Sequence, residues 1–249
     1  MKRGINTLMT LTFTLTFMLS PALLKSQDVP EYDKIQTSAG TVEMHYIGHA
    51  SLMFKVNGII IYIDPVSSVG NYDFLPKADL ILVTHEHPDH LDVDLINKLK
   101  KPGTFVLVNK TSAKAIPWAM VMENGSRQEL KSIVIEAVPA YNIVNERAPG
   151  QPYHAKGDGN GYILTIGGKR FYIAGDTENT PEMKALKNID VAFLPMNLPY
   201  TMTPEMVADA AKAFRPKILY PYHYGDTDPN ILVDLLKDSG IEVRVRNLK

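Results

Sequence analysis

Residues 84–90 hold three of the chain's seven histidines. They read Thr-His-Glu-His-Pro-Asp-His and directly follow the apolar run over residues 80–83. His85 and His87 are two positions apart, so in an extended segment their side chains point to the same side and can bind one divalent ion. This spacing at the end of a buried strand predicts a metal site.

The second half of this motif offers further ligands. Pro88 lacks an N–H donor and disfavours helix in the residue before it, so the chain turns there. Asp89 and His90 emerge after the turn and can bind a second ion beside the first. Imidazole and carboxylate groups without thiolate suit zinc, iron or manganese. A set of surface histidines beside a helix start is the competing interpretation, and the preceding apolar strand disfavours it.

Polar residues also follow other apolar segments that the pattern predicts to be strands. They are Asp64, Asn142, Asp176 and His223. Polar groups at successive strand ends can converge on one edge of a sheet sandwich. In that position Asp176, which follows a strand and a glycine, can lie between two metal ions, and His223 adds an imidazole.

Two similar halves organise the chain around these residues. In each half, two apolar segments flank a turn dipeptide, Asn-Gly at 57–58 or Gly-Gly at 167–168, and end at Asp64 or Asp176. Each half then alternates strands with helices. The pattern predicts an α/β fold in which two mixed β-sheets pack face to face with helices outside, a four-layer αββα sandwich.

Length and composition exclude several classes of protein. The chain has 249 residues, 45% of them apolar, which is enough for one large domain with a full core. The formal charge of −1 supplies no basic field for nucleic acid. The chain contains no cysteine, so disulfides, thiolate ligands and a cysteine nucleophile are excluded. The oligomeric state stays open.

The N-terminal residues have the layout of a signal peptide, because a basic start precedes an apolar stretch over residues 8–24. We expect residues 1–26 to be a signal peptide, residues 27–40 a loose lead-in segment and residues 41–249 one domain. Export to the periplasm or the medium follows, with no membrane span after cleavage. A strand or an uncleaved anchor at the N-terminus are the alternatives.

The motifs together resemble the metallo-β-lactamase superfamily. The resemblance rests on residues 85–90, on Gly-Asp-Thr at 175–177 and on Pro-Tyr-His-Tyr at 221–224. It covers residues 41–249 in the order that the superfamily uses. Gly-His-Ala-Ser at 48–51 and Ile-Asp-Pro at 63–65 are similar to the branch of the ascorbate-6-phosphate lactonase and many uncharacterised metal-dependent hydrolases. The resemblance implies the metallo-β-lactamase fold, an αββα sandwich.

The resemblance also implies a role for each candidate residue. The first ion would be bound by His85 and His87, the second by Asp89, His90 and His223, with Asp176 between the two. Asp64 would hold one of the ligand histidines in place. From the chemistry of a metal-activated nucleophile, we also expect Asp89 to orient the nucleophile while it binds the ion.

One position departs from the superfamily pattern. Many members have a histidine directly after the strand that here ends in Pro-Ala-Tyr at 139–141, and this chain has Asn142 there. Either the amide oxygen of Asn142 faces the first ion, or His154 reaches it from the long loop over residues 142–160. We favour His154, because imidazole is the better ligand, and we count it with Asp89 as a catalytic residue.

Two ions in this position predict a hydrolase. A divalent ion lowers the pKa of bound water to about 7, so a metal-activated hydroxide can attack a carbonyl or phosphoryl centre. We expect hydrolysis of an ester, lactone or phosphodiester bond in a small molecule, with two Zn²⁺ ions favoured over Mn²⁺ or Fe²⁺. The alternatives are an iron-dependent oxidoreductase and a non-catalytic binding protein with a vestigial metal site.

Three loops are expected to shape the substrate pocket, those over residues 66–77, 142–160 and 195–203. His49 at a strand break, Asn142 and Tyr200 are candidates for holding a ligand in place or contacting the substrate. His45, within a predicted strand, is expected to be structural.

Overall fold

The computed structural model describes residues 30–249, which contain sixteen β-strands and four α-helices. The strands are β1 (Tyr32–Thr37), β2 (Gly40–Gly48), β3 (Ser51–Val56), β4 (Ile59–Ile63), β5 (Leu80–Leu82), β6 (Phe105–Val108), β7 (Met120–Val121), β8 (Arg127–Leu130), β9 (Ile133–Ala140), β10 (Glu146–Ala148), β11 (Gln151–Pro152), β12 (Gly159–Ile166), β13 (Lys169–Ile173), β14 (Val191–Pro195), β15 (Ile218–Tyr222) and β16 (Glu242–Val243). The helices are α1 (Val93–Leu99), α2 (Pro181–Lys184), α3 (Pro204–Phe214) and α4 (Pro229–Leu236). Among the helices of residues 30–249, none has the length and apolar character needed to cross a bilayer. The predicted signal peptide at 1–26 lies outside the described residues.

Fourteen of these strands form two sheets of seven. The first has the order β1-β2-β3-β4-β5-β6-β7, and the second has the order β16-β15-β14-β13-β12-β9-β8. In each sheet a hairpin, β3–β4 or β12–β13, is followed by parallel strands. Both hairpins turn through residues with positive φ, at 57–58 and 167–168, as tight two-residue turns require. Both sheets are therefore mixed, and the two predicted halves are confirmed.

Alternation along the strands divides the core into layers. Phe54 of β3 points into the space between the sheets, whereas Met53 points to the opposite face. Ile96 and its neighbours in α1 cover that opposite face. On the second sheet, Tyr172 of β13 packs against Phe214 of α3, with ring centroids 6.0 Å apart. Helices cover both sheets, and the predicted four-layer sandwich is confirmed.

Within the predicted lead-in segment, residues 32–37 are not loose, because they form β1, the edge strand of the first sheet, which pairs antiparallel with β2. Residues 27–29 lie outside the described residues. Asp33 in β1 accepts hydrogen bonds from the hydroxyls of Tyr46 and Tyr220 at 2.9 and 2.6 Å and from Arg246 Nη2 at 2.9 Å. Burial raises the pKa of Asp33, but these hydrogen bonds outweigh it and lower the pKa below its usual value. The mostly polar composition of the strand hides it in the sequence.

The segment predicted as irregular over residues 142–160 contains a small hairpin. β10 and β11 pair antiparallel with a register irregularity, and β12 already begins at Gly159. β7 and β8 give no alternating pattern in the sequence, because their side chains are mostly exposed. The hairpin is the one of these elements that lies beside the candidate site.

Candidate metal centre

The carboxyl ends of the central strands bring the candidate residues to one edge of the sandwich. β4 leads to Asp64 and β5 leads to residues 84–90. β13 and β15 lead to Asp176 and His223 at the facing edge of the second sheet. β4 and β5 are parallel neighbours, as are β13, β14 and β15, so the residues that follow them meet at the rim where open α/β sheets bind ligands.

Three imidazoles form the first cluster, which consists of His85, His87 and His154. His87 Nδ1 lies 3.1 Å from His85 Nε2 and 3.2 Å from His154 Nε2. His85 and His154 are buried, and His87 is half-buried. The structure thus brings His154, and not Asn142, to the two histidines of the motif.

The second cluster consists of His49, Asp89, His90 and His223. The Nε2 atoms of the three histidines lie 3.2, 3.9 and 3.4 Å, in that order, from Asp89 Oδ2. One potential ligand atom from each of the four residues lies within 4.8 Å of the others. His90 and His223 are buried, whereas 47% of the Asp89 side chain is exposed. His49 is therefore part of the cluster itself, closer to its centre than the sequence indicates.

Asp176 lies between the two clusters. Its Oδ2 is 3.4 Å from His154 Nε2 and 3.5 Å from His223 Nε2. Its Oδ1 is 3.3 Å from His90 Nε2. One buried carboxylate therefore faces both clusters, which is the geometry required of a residue shared by two ions.

The electrostatic field differs between the clusters. Burial lowers the pKa of His85 well below its usual value and the pKa of His154 to about 4, so both imidazoles are neutral at pH 7 and offer lone pairs to a metal. Burial also lowers the pKa of His90, but the carboxylates of Asp176 and Asp64 outweigh it and raise that pKa well above its usual value. The protein therefore favours positive charge at the second cluster.

Asp64 and Thr84 hold the motif histidines from behind. The fully buried Asp64 carboxylate accepts hydrogen bonds from the N–H and the hydroxyl of Thr84 at 2.8 and 2.7 Å, and it lies 2.8 Å from His90 Nδ1. Thr84 Oγ1 is also 3.0 Å from His85 Nδ1. Contacts of this kind fix the tautomer and orientation of metal-binding histidines. Asp64 has the position that the resemblance implies, and Thr84 extends its effect to His85.

Asn142 holds His154 in place. Its Oδ1 accepts hydrogen bonds from His154 Nδ1 at 2.7 Å and from the backbone N–H of His154 at 2.8 Å. This contact turns His154 Nε2 toward the other imidazoles. Asn142 Nδ2 donates to the carbonyl of Tyr200 at 2.9 Å and to Glu178 at 3.2 Å, so Asn142 also ties two loops of the rim together.

Glu178 is a buried acid that is absent from the predicted set. Its carboxylate accepts hydrogen bonds from the backbone N–H groups of residues 143–145 at distances of 2.7 to 2.9 Å. It thereby fixes the start of the loop that carries His154. Its position directly after Gly-Asp-Thr at 175–177 is the signal that could have indicated it.

A cavity of about 410 Å³ opens above the two clusters and Asp176. Arg147, Tyr153, Asn197 and Tyr200 contribute to its walls. Among the described residues that line it, Arg147 is the one arginine or lysine. Tyr153 and Tyr200 pack edge to face, with ring centroids 5.1 Å apart. Two of the three predicted pocket loops, 142–160 and 195–203, thus shape this cavity.

The third predicted loop, 66–77, lies elsewhere, and that prediction is wrong. Tyr72 packs against Tyr62 in the layer between the first sheet and α1, with ring centroids 5.9 Å apart. Apolar packing holds it there, and none of the described residues lining the cavity comes from this loop. His45, expected to be structural, stacks on Tyr32 with centroids 4.7 Å apart and belongs to neither cluster.

The donor set fits a pair of divalent cations. Within residues 30–249, His90 Nε2, His223 Nε2 and Asp176 Oδ1 are buried without a hydrogen-bond partner, although buried polar atoms are normally paired. A tetrahedral zinc ion with bonds of 2.0–2.1 Å places its ligand atoms about 3.3 Å apart. Four distances within the two clusters, of 3.1 to 3.4 Å, lie near this value, and that between His90 Nε2 and Asp89 Oδ2 is longer, at 3.9 Å. Imidazole and carboxylate without thiolate suit zinc, iron or manganese.

Two mixed sheets between helices, with imidazole and carboxylate groups gathered at one edge, define an αββα class of metal-binding proteins. The family model described as the β-lactamase superfamily domain matches residues 43–223. The chain therefore belongs to the metallo-β-lactamase superfamily, as the resemblance implies.

Similar proteins within this superfamily carry the names of hydrolases. The chain is 31% identical over 218 residues to the UPF0173 metal-dependent hydrolase of Lysinibacillus sphaericus, which covers 81% of this chain and 96% of that protein. It is 50% identical to a crystallised Parabacteroides distasonis protein to which metal-dependent hydrolase activity is attributed, with a TM-score of 0.84 and coverage of 88% and 99%. Igni18, a metallo hydrolase of Ignicoccus hospitalis, is 26% identical, with a TM-score of 0.68 and coverage of 83% and 95%.

Proposed function

We propose that the protein is a hydrolase that uses two divalent ions to cleave an ester, lactone or phosphodiester bond in a small molecule. The observation that carries the proposal is the position of Asp176, whose two oxygens face two separate clusters at the floor of one cavity. The names of the similar proteins, metal-dependent hydrolase and metallo hydrolase, support the same class of reaction.

Two such ions would lower the pKa of a bound water to about 7 and polarise the substrate oxygen that it attacks. The side chains supply position and charge. Burial raises the pKa of Asp89, but the imidazoles of His223 and His49, at 3.4 and 3.2 Å from Oδ2, outweigh it and lower the pKa below its usual value. Asp89 is therefore a carboxylate at pH 7, and its exposed side chain is suited to orient the attacking water.

Arg147 favours a substrate with a negatively charged group. Its exposed side chain lines the cavity, and Nη2 donates to the carbonyl of Tyr153 at 2.9 Å. The remaining N–H groups of a guanidinium can bind a carboxylate or phosphate through two parallel hydrogen bonds. A cavity of about 410 Å³ is the size of a small-molecule site, and Tyr153 and Tyr200 add apolar faces.

Zinc is the proposed metal, because sites of three histidines with an open position are typical of catalytic zinc. Iron in the same ligands would instead support the oxidoreductase alternative. The basic and apolar N-terminal segment supports export, so the proposed place of action is the periplasm or the medium.

Metal analysis and a substrate panel test the proposal together. The purified protein, loaded with Zn²⁺, should hydrolyse at least one member of a panel of esters, lactones and phosphodiesters with and without a negatively charged group. Asp176→Ala should lose bound metal and turnover together, because it removes the shared carboxylate. Arg147→Gln should raise KM for the charged substrates, whereas Arg127→Gln, at an exposed site on β8, should leave every value unchanged.

Two outcomes would contradict the proposal. Full turnover by Asp176→Ala would exclude a mechanism that depends on the two clusters. Iron in protein purified without added zinc, together with oxygen consumption and no hydrolysis, would favour the oxidoreductase.

A further inference from the structure

The superfamily resemblance assigns no ligand role to His49, although His49 belongs to the second cluster. It belongs to a two-residue connection, His49 and Ala50, between β2 and β3. Its φ of 53° lies in the left-handed region, which is unfavourable for a residue with a side chain. A glycine would adopt this conformation without strain, and Gly48 is the neighbouring residue, but the left-handed position itself is occupied by His49. Residues held in this region cluster at active sites and ligand-binding positions.

The backbone and the ring of His49 are both fixed against His223. The backbone carbonyl of His49 accepts a hydrogen bond from the N–H of His223 at 3.3 Å. The two rings lie with centroids 3.7 Å apart and planes at 40°. His223 also has a left-handed φ, of 47°. Two strained residues from different sheets therefore support each other at the rim.

Three imidazoles converge on one oxygen. The Nε2 atoms of His49, His223 and His90 lie 3.2, 3.4 and 3.9 Å from Asp89 Oδ2. A single imidazole would be enough to hydrogen-bond Asp89. Here three imidazoles instead direct their Nε2 atoms toward Asp89 Oδ2. Separations near 3.3 Å are those of atoms bound to one tetrahedral zinc ion.

We propose that His49 is a ligand of the second ion, together with Asp89, His90 and His223, and that this ion consequently binds first and more tightly. The proposal rests on the two-ion site proposed above. With the shared Asp176 counted for both, the second ion would have five protein ligands and the first four. Zinc at catalytic sites is four-coordinate and expands to five, so the first ion would have room for water or substrate, whereas the second would be fully surrounded by protein ligands. The first cluster is then the site that exchanges its ion and receives the substrate.

Titration of metal-free protein with Co²⁺, followed by visible absorption and calorimetry, tests this proposal. The wild-type protein should show one tight and one weaker Co²⁺ site. His49→Gly, which also relieves the backbone strain, should weaken the tight site by at least roughly 100-fold, the upper end of the loss seen when a mere outer partner is removed. The weaker site should be unchanged, and the visible spectrum of the first equivalent should lose intensity or shift.

A second variant and a control distinguish loss of a metal ligand from misfolding of the protein. His49→Asn keeps a residue type that tolerates the left-handed region, so its metal-free melting temperature should match that of the wild type. It should weaken the tight site as His49→Gly does, while His45→Gln, outside both clusters, should keep both sites. An unchanged tight site and spectrum in both His49 variants would overturn the proposal and leave His49 as a hydrogen-bond partner of Asp89. Fewer than two Co²⁺ sites in the wild type would instead overturn the two-ion site itself.

Discussion

The two clusters at the floor of the cavity use the same imidazoles in different surroundings. The first holds three imidazoles, and the neutral amide of Asn142 orients one of them, His154. The second adds the carboxylate of Asp89, and the buried carboxylate of Asp64 lies behind His90. Negative charge is therefore concentrated at the second cluster, where it favours a cation. This difference underlies the proposal that the second cluster would retain its ion while the first would exchange its own.

The cavities beside the clusters indicate where a substrate would lie. Arg147 and Tyr153 line the main cavity and also a smaller one, of about 240 Å³, beside the first cluster. His85, His87 and His154 contribute to that smaller cavity, and they make up the whole of the first cluster. An anionic group bound by Arg147 would place the rest of a substrate over the less charged cluster.

Removing one imidazole from each cluster should have the largest effect and tests directly whether the clusters differ. His154→Ala should lower kcat by at least roughly 100-fold and retain about one ion per chain after dialysis, because the second cluster is intact. His223→Ala should lose the tightly held ion as well as turnover. Metal per chain, measured beside kcat, separates the two variants. Equal metal content in both would show that the clusters are equivalent.

The residues behind the clusters should give a smaller and more selective effect. Asn142→Ala should weaken the weaker ion about 10- to 100-fold, because His154 loses the contact that orients it. Asp64→Asn should act mainly on the tight ion through His90 and, through Thr84, to a lesser degree on the other. Competition with a chelator measures both affinities. The distinction between the clusters is wrong if Asn142→Ala weakens the tight ion more than the weaker one.

Sequence spacing predicts these clusters well where ligands follow apolar strands. Asp64, Asp176, His223 and residues 84–90 all follow strands whose pattern is regular, and the strand ends meet at one rim. The choice of His154 over Asn142 follows from ligand chemistry, and the structure brings His154 to the first cluster. The role of Asn142 as its hydrogen-bond partner depends on side-chain directions, which spacing in a loop does not give.

Contacts between distant parts of the chain are what the sequence hides. His49 reaches the second cluster only because a left-handed turn and the ring of His223 place it there. Arg147 reaches the cavity through the hairpin of β10 and β11, which has no alternating pattern. β1 is fixed by the hydrogen bonds that Asp33 accepts from Tyr220, 187 positions away, and from Arg246, 213 positions away. Such pairs have no local signature.

Asp33 holds the edge strand β1 in place and belongs to neither cluster, so its substitution tests the stability of the fold apart from the metal centre. Its pKa is lower in the folded state than in the unfolded chain, so its contribution is present above about pH 4, the usual value for aspartate, and is lost as pH falls through the folded-state pKa. Asp33→Asn should therefore lower the free energy of unfolding at pH 7 by about 2 kcal/mol, the typical strength of hydrogen bonds to a charged group. The difference from the wild type should narrow in acid, and both Co²⁺ affinities should stay as they are. Urea unfolding of the metal-free proteins at several pH values measures the first effect. A change in either affinity would mean that β1 supports the metal centre as well as the sheet.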